Sequence, residues 1–232
     1  MPVRPIRFAI VDDYILFRQT LAHFLSHHVE LEVIIQASEM AELLPRLITD
    51  VPDVLLVDIF VPDLNGGEAI KLLRSEYPSI KILVLSMTTD MELVSELLDA
   101  GIHGYISKTD DPKELLQAVT AVSEGRVYRN RLFTEALYWN NQNTIRRYKG
   151  EAQVSLEERE KRILQLIWNE KSNKEIAEEL YLSIRSVEKI RQELKEKINV
   201  KSTVGLLKYA IKQRIIGIDL RPLGFMSPSG RQ

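Results

Sequence analysis

Three carboxylates, one hydroxyl and one ammonium stand where short apolar runs stop. Asp12 and Asp13 follow the run at 6–11, Asp58 follows Val54-Leu-Leu-Val57, Ser86 ends the run at 81–86, and Lys108 follows 104–107. A lone acid after a strand is most often a turn cap. Five such groups at strand exits ask for another account, because in an open α/β sheet the carboxyl ends of the strands border the ligand crevice. Were Asp12, Asp13 and Asp58 to meet there, repulsion would raise their pKa values unless a cation neutralised them. Magnesium suits the set, since it binds through one or two carboxylates and keeps waters that a phosphate can replace. Phosphoryl transfer to a carboxylate needs the charge developing in the transition state to be offset, and a metal ion with the Lys108 ammonium would offset it.

The elements that must bring these groups together alternate along the first half of the chain. The four aliphatics 54–57 lack a polar alternation, which reads as a strand buried on both faces, with Asp58 at its end. Strands are expected at 6–11, 32–37, 54–58, 81–86 and 104–107. Helices are expected at 14–27 (Phe17, Leu21, Phe24 and Leu25 on one face), 39–50 (disturbed by Pro45), 67–76, 91–100 and 112–124. Asp111-Pro112-Lys113-Glu114 opens the last of these with a capping carboxylate and a proline at the first helical position. Five βα units make a doubly wound parallel sheet. In the order 2-1-3-4-5, strands 1 and 3 flank the switch point, so Asp12, Asp13 and Asp58 converge there.

Composition divides the chain. Residues 1–125 hold 9 Lys/Arg against 20 Asp/Glu, a net of −11, and residues 126–232 hold 22 against 13, a net of +9. An acidic half suits a cation and a basic half suits a polyanion such as nucleic acid. The 232 residues contain no cysteine, which excludes disulfides and thiolate metal sites. No apolar run approaches the ~18 residues that span a bilayer, and the amino terminus has no signal-peptide core, so no membrane association and a cytoplasmic location are expected.

Residues 5–125 resemble the receiver domain of two-component response regulators, through Val11-Asp12-Asp13, Asp58-Ile-Phe-Val-Pro62 with Gly66, Leu85-Ser86 and Gly104-Tyr105-Ile-Ser-Lys108. The resemblance implies a phosphoacceptor, Asp58, charged by a sensor histidine kinase. It implies Mg2+ held by Asp13, Asp58 and the Phe60 backbone carbonyl, with Asp12 assisting through water. Lys108 and Ser86 would contact the phosphoryl oxygens, and Tyr105 would change rotamer to report them. Val61 stands where Met is usual, and Met87 is bulkier than the small residue many receivers carry, which bears on reaction rates.

Residues 126–153, polar and basic, read as a linker with a helical stretch near 132–139. Beyond it the helical period returns at 157–169, at a helix opened by the capping box Ser172-Asn-Lys-Glu175, at one from Ser183 to about 198, and at 203–216. Two short helices joined by a tight turn form a helix-turn-helix. On its second helix Val187, Ile190, Leu194 and Ile198 share one side, whereas Arg185, Glu188, Lys189 and Gln192 share the other. Glu188 is within reach of Arg185 and Arg191, a neighbourly pairing that competes with a contact to a cytosine amino group. Residues 154–217 resemble the NarL/LuxR-type DNA-binding domain, most specifically in Ser172-Asn-Lys-Glu-Ile-Ala177. The resemblance implies double-stranded DNA as partner, with Lys174, Arg185, Ser186, Glu188, Lys189 and Gln192 at the interface. It also implies a homodimer when phosphorylated, paired through the last helix by Val204, Leu207 and Ile211. Glu188 and Ile190 depart from the usual Lys and His. Residues 218–232 read as a loose tail.

The expected whole is an α/β five-stranded receiver (1–125), a linker (126–153) and a small all-α DNA-binding domain (154–217): a phosphorylation-gated transcription regulator with no enzymatic role beyond its own phosphorylation and dephosphorylation. Two alternatives differ in class. One is an interaction module that has lost DNA binding. The other is an aspartyl-phosphate phosphohydrolase, which would want a second Asp where Phe60 stands.

Overall fold

The computed structural model describes residues 4–62, 64, 66–144 and 154–216, with the side chains of 140–144 left aside. The tail read at 218–232 and the basic run 146–149 lie outside the described residues. The first half comprises β1 (Ile6–Val11), α1 (Ile15–Ser26), β2 (Leu31–Ala37), α2 (Met40–Leu47), β3 (Val54–Val57), α3 (Gly66–Glu76), β4 (Lys81–Ser86), α4 (Met91–Ala100), β5 (Gly104–Ser107) and α5 (Pro112–Ser123). All strands are parallel, in the order β2-β1-β3-β4-β5. The expected sheet is therefore the observed one, with helix ends moved by a few residues.

β3 explains why its sequence is uniformly apolar. Val54 and Leu56 enter the core under α1 and α5, and Leu55 and Val57 enter the core under α2, α3 and α4. Each fully buried aliphatic contributes about 1.5–3 kcal/mol, so the centre of the sheet is also the anchor of Asp58. Two glycines are required by geometry. A Cβ on Gly104 would stand 2.7 Å from the Leu83 side chain, and Gly101 closes α4 at φ +99°.

Within the stretch read as a linker, residues 126–144 are described and part of them is docked on the first half. Asn130 caps α6 (Arg131–Thr144) by accepting from Phe133 N at 2.9 Å and donates to the Tyr105 carbonyl. Phe133, Ala136 and Leu137 are fully buried in the core shared with α4. An i, i+3, i+4 apolar set inside a polar sequence was enough to dock the helix.

The second half holds α7 (Glu158–Trp168), α8 (Asn173–Glu179), α9 (Ile184–Lys197) and α10 (Thr203–Lys212) around their own core of Ile163, Leu164, Ile176, Val187, Leu194, Leu206 and Leu207. Capping boxes start α7 and α8. The two halves also touch. Val204 and Ile211 of α10 join the core of α4 and α6, and Lys208 Nζ lies 2.5 Å from Asp99 and 3.4 Å from Ser95 Oγ of α4. Ahead of α6, the Arg129 guanidinium stacks 4.0 Å over the Trp168 ring, donates to the Trp168 carbonyl and pairs with Glu170 at 2.9 Å. No helix among the described residues is long and apolar enough to cross a membrane.

Candidate functional site

The exits of β1, β3, β4 and β5 place the expected groups around one crevice. Asp58 N donates to the Val11 carbonyl and Lys108 N to the Ser86 carbonyl, so main-chain bonds extend the sheet just past its strands and fix where each side chain starts. Asp12 and Asp58 are buried, and Asp13 is exposed. Carboxylate oxygens of all three lie within 4.8 Å of one another, a set that could hold a metal ion. Hard oxygen donors of this number and charge suit a hard divalent cation.

Lys108 reaches between the two buried acids, its Nζ 2.7 Å from Asp12 Oδ2 and 2.6 Å from Asp58 Oδ2. Burial opposes its charge. The hydrogen bonds and charges of Asp12 and Asp58 outweigh that cost and raise Lys108 above the ordinary amine value. The remaining oxygens are held by the backbone: Tyr14 N donates to Asp12 Oδ1 at 2.9 Å, and Phe60 N to Asp58 Oδ1 at 3.2 Å. Three neighbours escaped the sequence reading of the site. The rings of Phe17 and Tyr14 lie 4.7 Å and 5.3 Å from the ammonium, and Arg18 donates to the Asp12 carbonyl. Phe17 carries the signal of a core position on α1, and only the packing turns it toward Lys108.

Ser86 Oγ is fully buried and finds no hydrogen-bond partner among the described residues. An orphaned hydroxyl at a strand exit is costly, and an anion seated on Asp58 would satisfy it. Tyr105 is also fully buried, with its hydroxyl donating to the Thr88 carbonyl at 2.7 Å and its pKa pushed up to about 12, chiefly by burial. Ser86, Thr88 and Tyr105 thus connect the crevice to the start of α4. Met87 points outward at 63% exposure and does not fill the crevice.

On the helical domain the outward stripe is as expected. Lys174, Arg185, Glu188, Lys189 and Gln192 are exposed, and Ser186 is half-buried, its N–H donating to the capping Ser183 Oγ. Lys189 lies 3.5 Å from Glu193, and Gln192 donates to Glu196. Glu188 has no ion pair within 4 Å among the described residues, because Arg191 is turned inward. Arg191 is buried and donates to Asn173 Oδ1 and Thr203 Oγ1, tying the starts of α8 and α10 together. Burial and desolvation bring it down to about 10. Lys174, Ile184 and Glu188 border a cleft of about 940 Å3 whose opposite wall includes Lys81 and Arg126. Of the three residues expected to pair protomers, Val204 and Ile211 are buried with α4 and α6, and Leu207 lies in the domain's own core.

Residues 8–120 match the family model of the response regulator receiver domain, and residues 154–210 match that of the bacterial regulatory proteins of the luxR family. The oxygen regulatory protein NreC of Staphylococcus epidermidis is 30% identical over 215 residues, covering 90% of this chain and 99% of that protein. Its counterpart in Staphylococcus aureus is 31% identical over 214 residues, with the same coverage. Among solved structures, the response regulator RcsB of Salmonella typhimurium covers 90% of this chain and 99% of its own at 23% identity and a TM-score of 0.55. RcsB bound to a promoter with a phosphomimetic gives 22% and 0.56 and covers 90% of this chain. These two likenesses bear on the fold. The acid crevice, the parallel sheet, the helix-turn-helix and the full-length relatives together place this chain in the two-component response regulators, phosphorylation-dependent transcription regulators that join a receiver domain to a LuxR-type DNA-binding domain.

Proposed function

We propose that Asp58 accepts a phosphoryl group from a sensor histidine kinase and that this event releases the helical domain for dimerisation and binding to double-stranded DNA. The observation that carries the first half is the buried Asp58 carboxylate beside the Lys108 ammonium and the partnerless Ser86 hydroxyl. Mg2+ would be held by Asp13, Asp58 and the Phe60 backbone carbonyl with Asp12 assisting, and when bound it supplies charge neutralisation for the transferring group. The chain's own residues do the rest. Asp58 presents its oxygen as nucleophile, Lys108 compensates the added negative charge, and Ser86 donates to a phosphoryl oxygen. The receiver family supports the kinase, and the DNA-binding family supports a cytoplasmic location.

The second half rests on the covered state of α10. Val204 and Ile211 are packed against α4 and α6, and the α9 face borders the cleft toward Lys81 and Arg126. A phosphoryl group drawing Ser86 inward would pull on the Thr88 loop that Tyr105 holds, at the start of α4. Movement of α4 then weakens the Lys208 and Val204 contacts and frees α10 to pair two chains, which presents two α9 helices to half-sites about 34 Å apart. Lys174, Arg185, Ser186, Lys189 and Gln192 would contact DNA, and Glu188, which has no ion pair among the described residues, is open to accept from a cytosine amino group. The working division is 1–125, 126–153, 154–217 and 218–232.

The test is phosphorylation by a small phosphodonor with Mg2+, read by intact-protein mass and by sedimentation. The expected result is one phosphoryl group per chain, its loss in Asp58→Asn, and dimers only in the phosphorylated protein. Equal labelling of Asp58→Asn removes Asp58 from the role, and a phosphorylated protein that stays monomeric overturns the gating step.

A further inference from the structure

Three of the four histidines fall in one short stretch, His23, His27 and His28. They close α1 at the end opposite the acid crevice, and the signalling function makes no use of them. His23 and His27 are both exposed and one helical turn apart, and their rings meet edge to face with centroids 4.5 Å apart. The Nδ1 of His27 lies 2.8 Å from the His23 carbonyl oxygen. A carbonyl only accepts, so Nδ1 carries the proton and the Nε2 lone pair is left free. Metal-ligating histidines use this arrangement: one ring nitrogen fixed by a backbone carbonyl and the other available to an ion. Ser26 Oγ donates to the same carbonyl at 2.7 Å, which holds the turn in place.

Neither ring has a carboxylate partner within 4 Å among the described residues. His28 is turned onto the Phe24 ring, with centroids 5.4 Å apart, and is not part of the pair. A histidine near a helix C-terminus complements the helix dipole, but one imidazole suffices for that and the dipole gives no reason to bring two rings together.

We propose that His23 and His27 chelate a borderline divalent transition ion, Zn2+ for the test below, with waters completing its shell. Imidazole selects Zn2+, Cu2+ or Ni2+ over the hard cations that carboxylates take, so this site and the Asp12, Asp13 and Asp58 crevice separate by ligand chemistry. Histidines at i and i+4 share one helix face, the spacing by which helical metal motifs present two nitrogens. Positive charge added at the helix C-terminus is favourable, and an ion that binds only the folded turn raises thermal stability by mass action.

Calorimetric titration of the full chain with Zn2+, in saturating Mg2+ to keep the acid crevice occupied, tests the site. The expected result is one Zn2+ per chain, lost on chelation, and a raised melting temperature. His23→Asn and His27→Asn should each weaken binding by about tenfold or more, and both His28→Asn and Asp58→Asn should leave it intact. Absence of binding by the unaltered chain, or binding that survives in the His23→Asn, His27→Asn double variant, overturns the proposal.

Discussion

Lys108 decides the resting chemistry of the crevice, because it alone among the described residues pairs with both buried acids. Removing one partner of a buried ion pair leaves charge uncompensated and costs about 3–5 kcal/mol. Lys108→Met should therefore lower stability in metal-free buffer by about 3 kcal/mol. The same change removes the ammonium that competes with a cation for the Asp12 and Asp58 oxygens, so Mg2+ should recover more stability in the variant than in the parent. Thermal unfolding with and without Mg2+ measures both effects, and a variant with equal metal response would show that Lys108 and the ion do not compete.

Among the elements, α8 shows how local sequence builds the DNA-facing half. Ser172 and Glu175 exchange hydrogen bonds with each other's backbone, and the Ser172 N–H is the largest cause that pulls the Glu175 carboxyl down to about 2, followed by Lys171. A depressed carboxylate stabilises above its unfolded value of 4.5 and loses that contribution as the pH falls toward about 2. The Glu175 side chain is nearly half exposed, so solvent screening keeps the contribution small. Ser172→Ala should cost about 1 kcal/mol in denaturant unfolding of the helical domain, with phosphorylation of Asp58 unchanged. A loss of phosphorylation in that variant would mean that the two halves fold as one unit.

For the molecule as a whole, the two halves are held together by the Arg129 stack on Trp168 and by α10 on α4. Arg129→Ala removes the stack, the Glu170 pair and the carbonyl bond together, and should raise DNA affinity of the unphosphorylated chain toward that of the phosphorylated one, as read by fluorescence anisotropy. Charge works against this closed arrangement. Lys195 on α9 is pushed down to about 8, first by burial and then by Arg191 and by Arg74 and Lys81 of the receiver. Below that pH the ammonium is charged whether or not the halves are together, and the penalty is felt in full. Arg191 stays beside Lys195 in either arrangement, but separation removes Arg74 and Lys81 and raises the Lys195 pKa, so above about 8 the closed form sheds a proton that the separated form keeps, and closure gains. Small-angle scattering of the unphosphorylated chain should show it more compact at pH 9 than at pH 7, and Lys195→Met should reduce the difference, Lys81 being depressed at the same contact by burial, Arg74 and Arg191.

The sequence by itself determined the sheet, its order, the five crevice groups and the exposed stripe on α9. Those features are written in short-range pattern: an unbroken aliphatic β3, caps such as Ser172 and Asp111, and polar residues at strand ends whose positions follow from strand order alone. Tertiary structure decided the rest. That Arg191 turns inward to Asn173 and Thr203, leaving Glu188 without an ion pair among the described residues, depends on where α8 and α10 begin relative to α9. That Phe133 and Leu137 dock α6 on α4, and that Val204 and Ile211 face α4 and α6, depends on which apolar surfaces find each other between elements far apart in the chain. An apolar stripe specifies that it will be covered. It does not specify by what, since burial is non-directional and any complementary surface satisfies it.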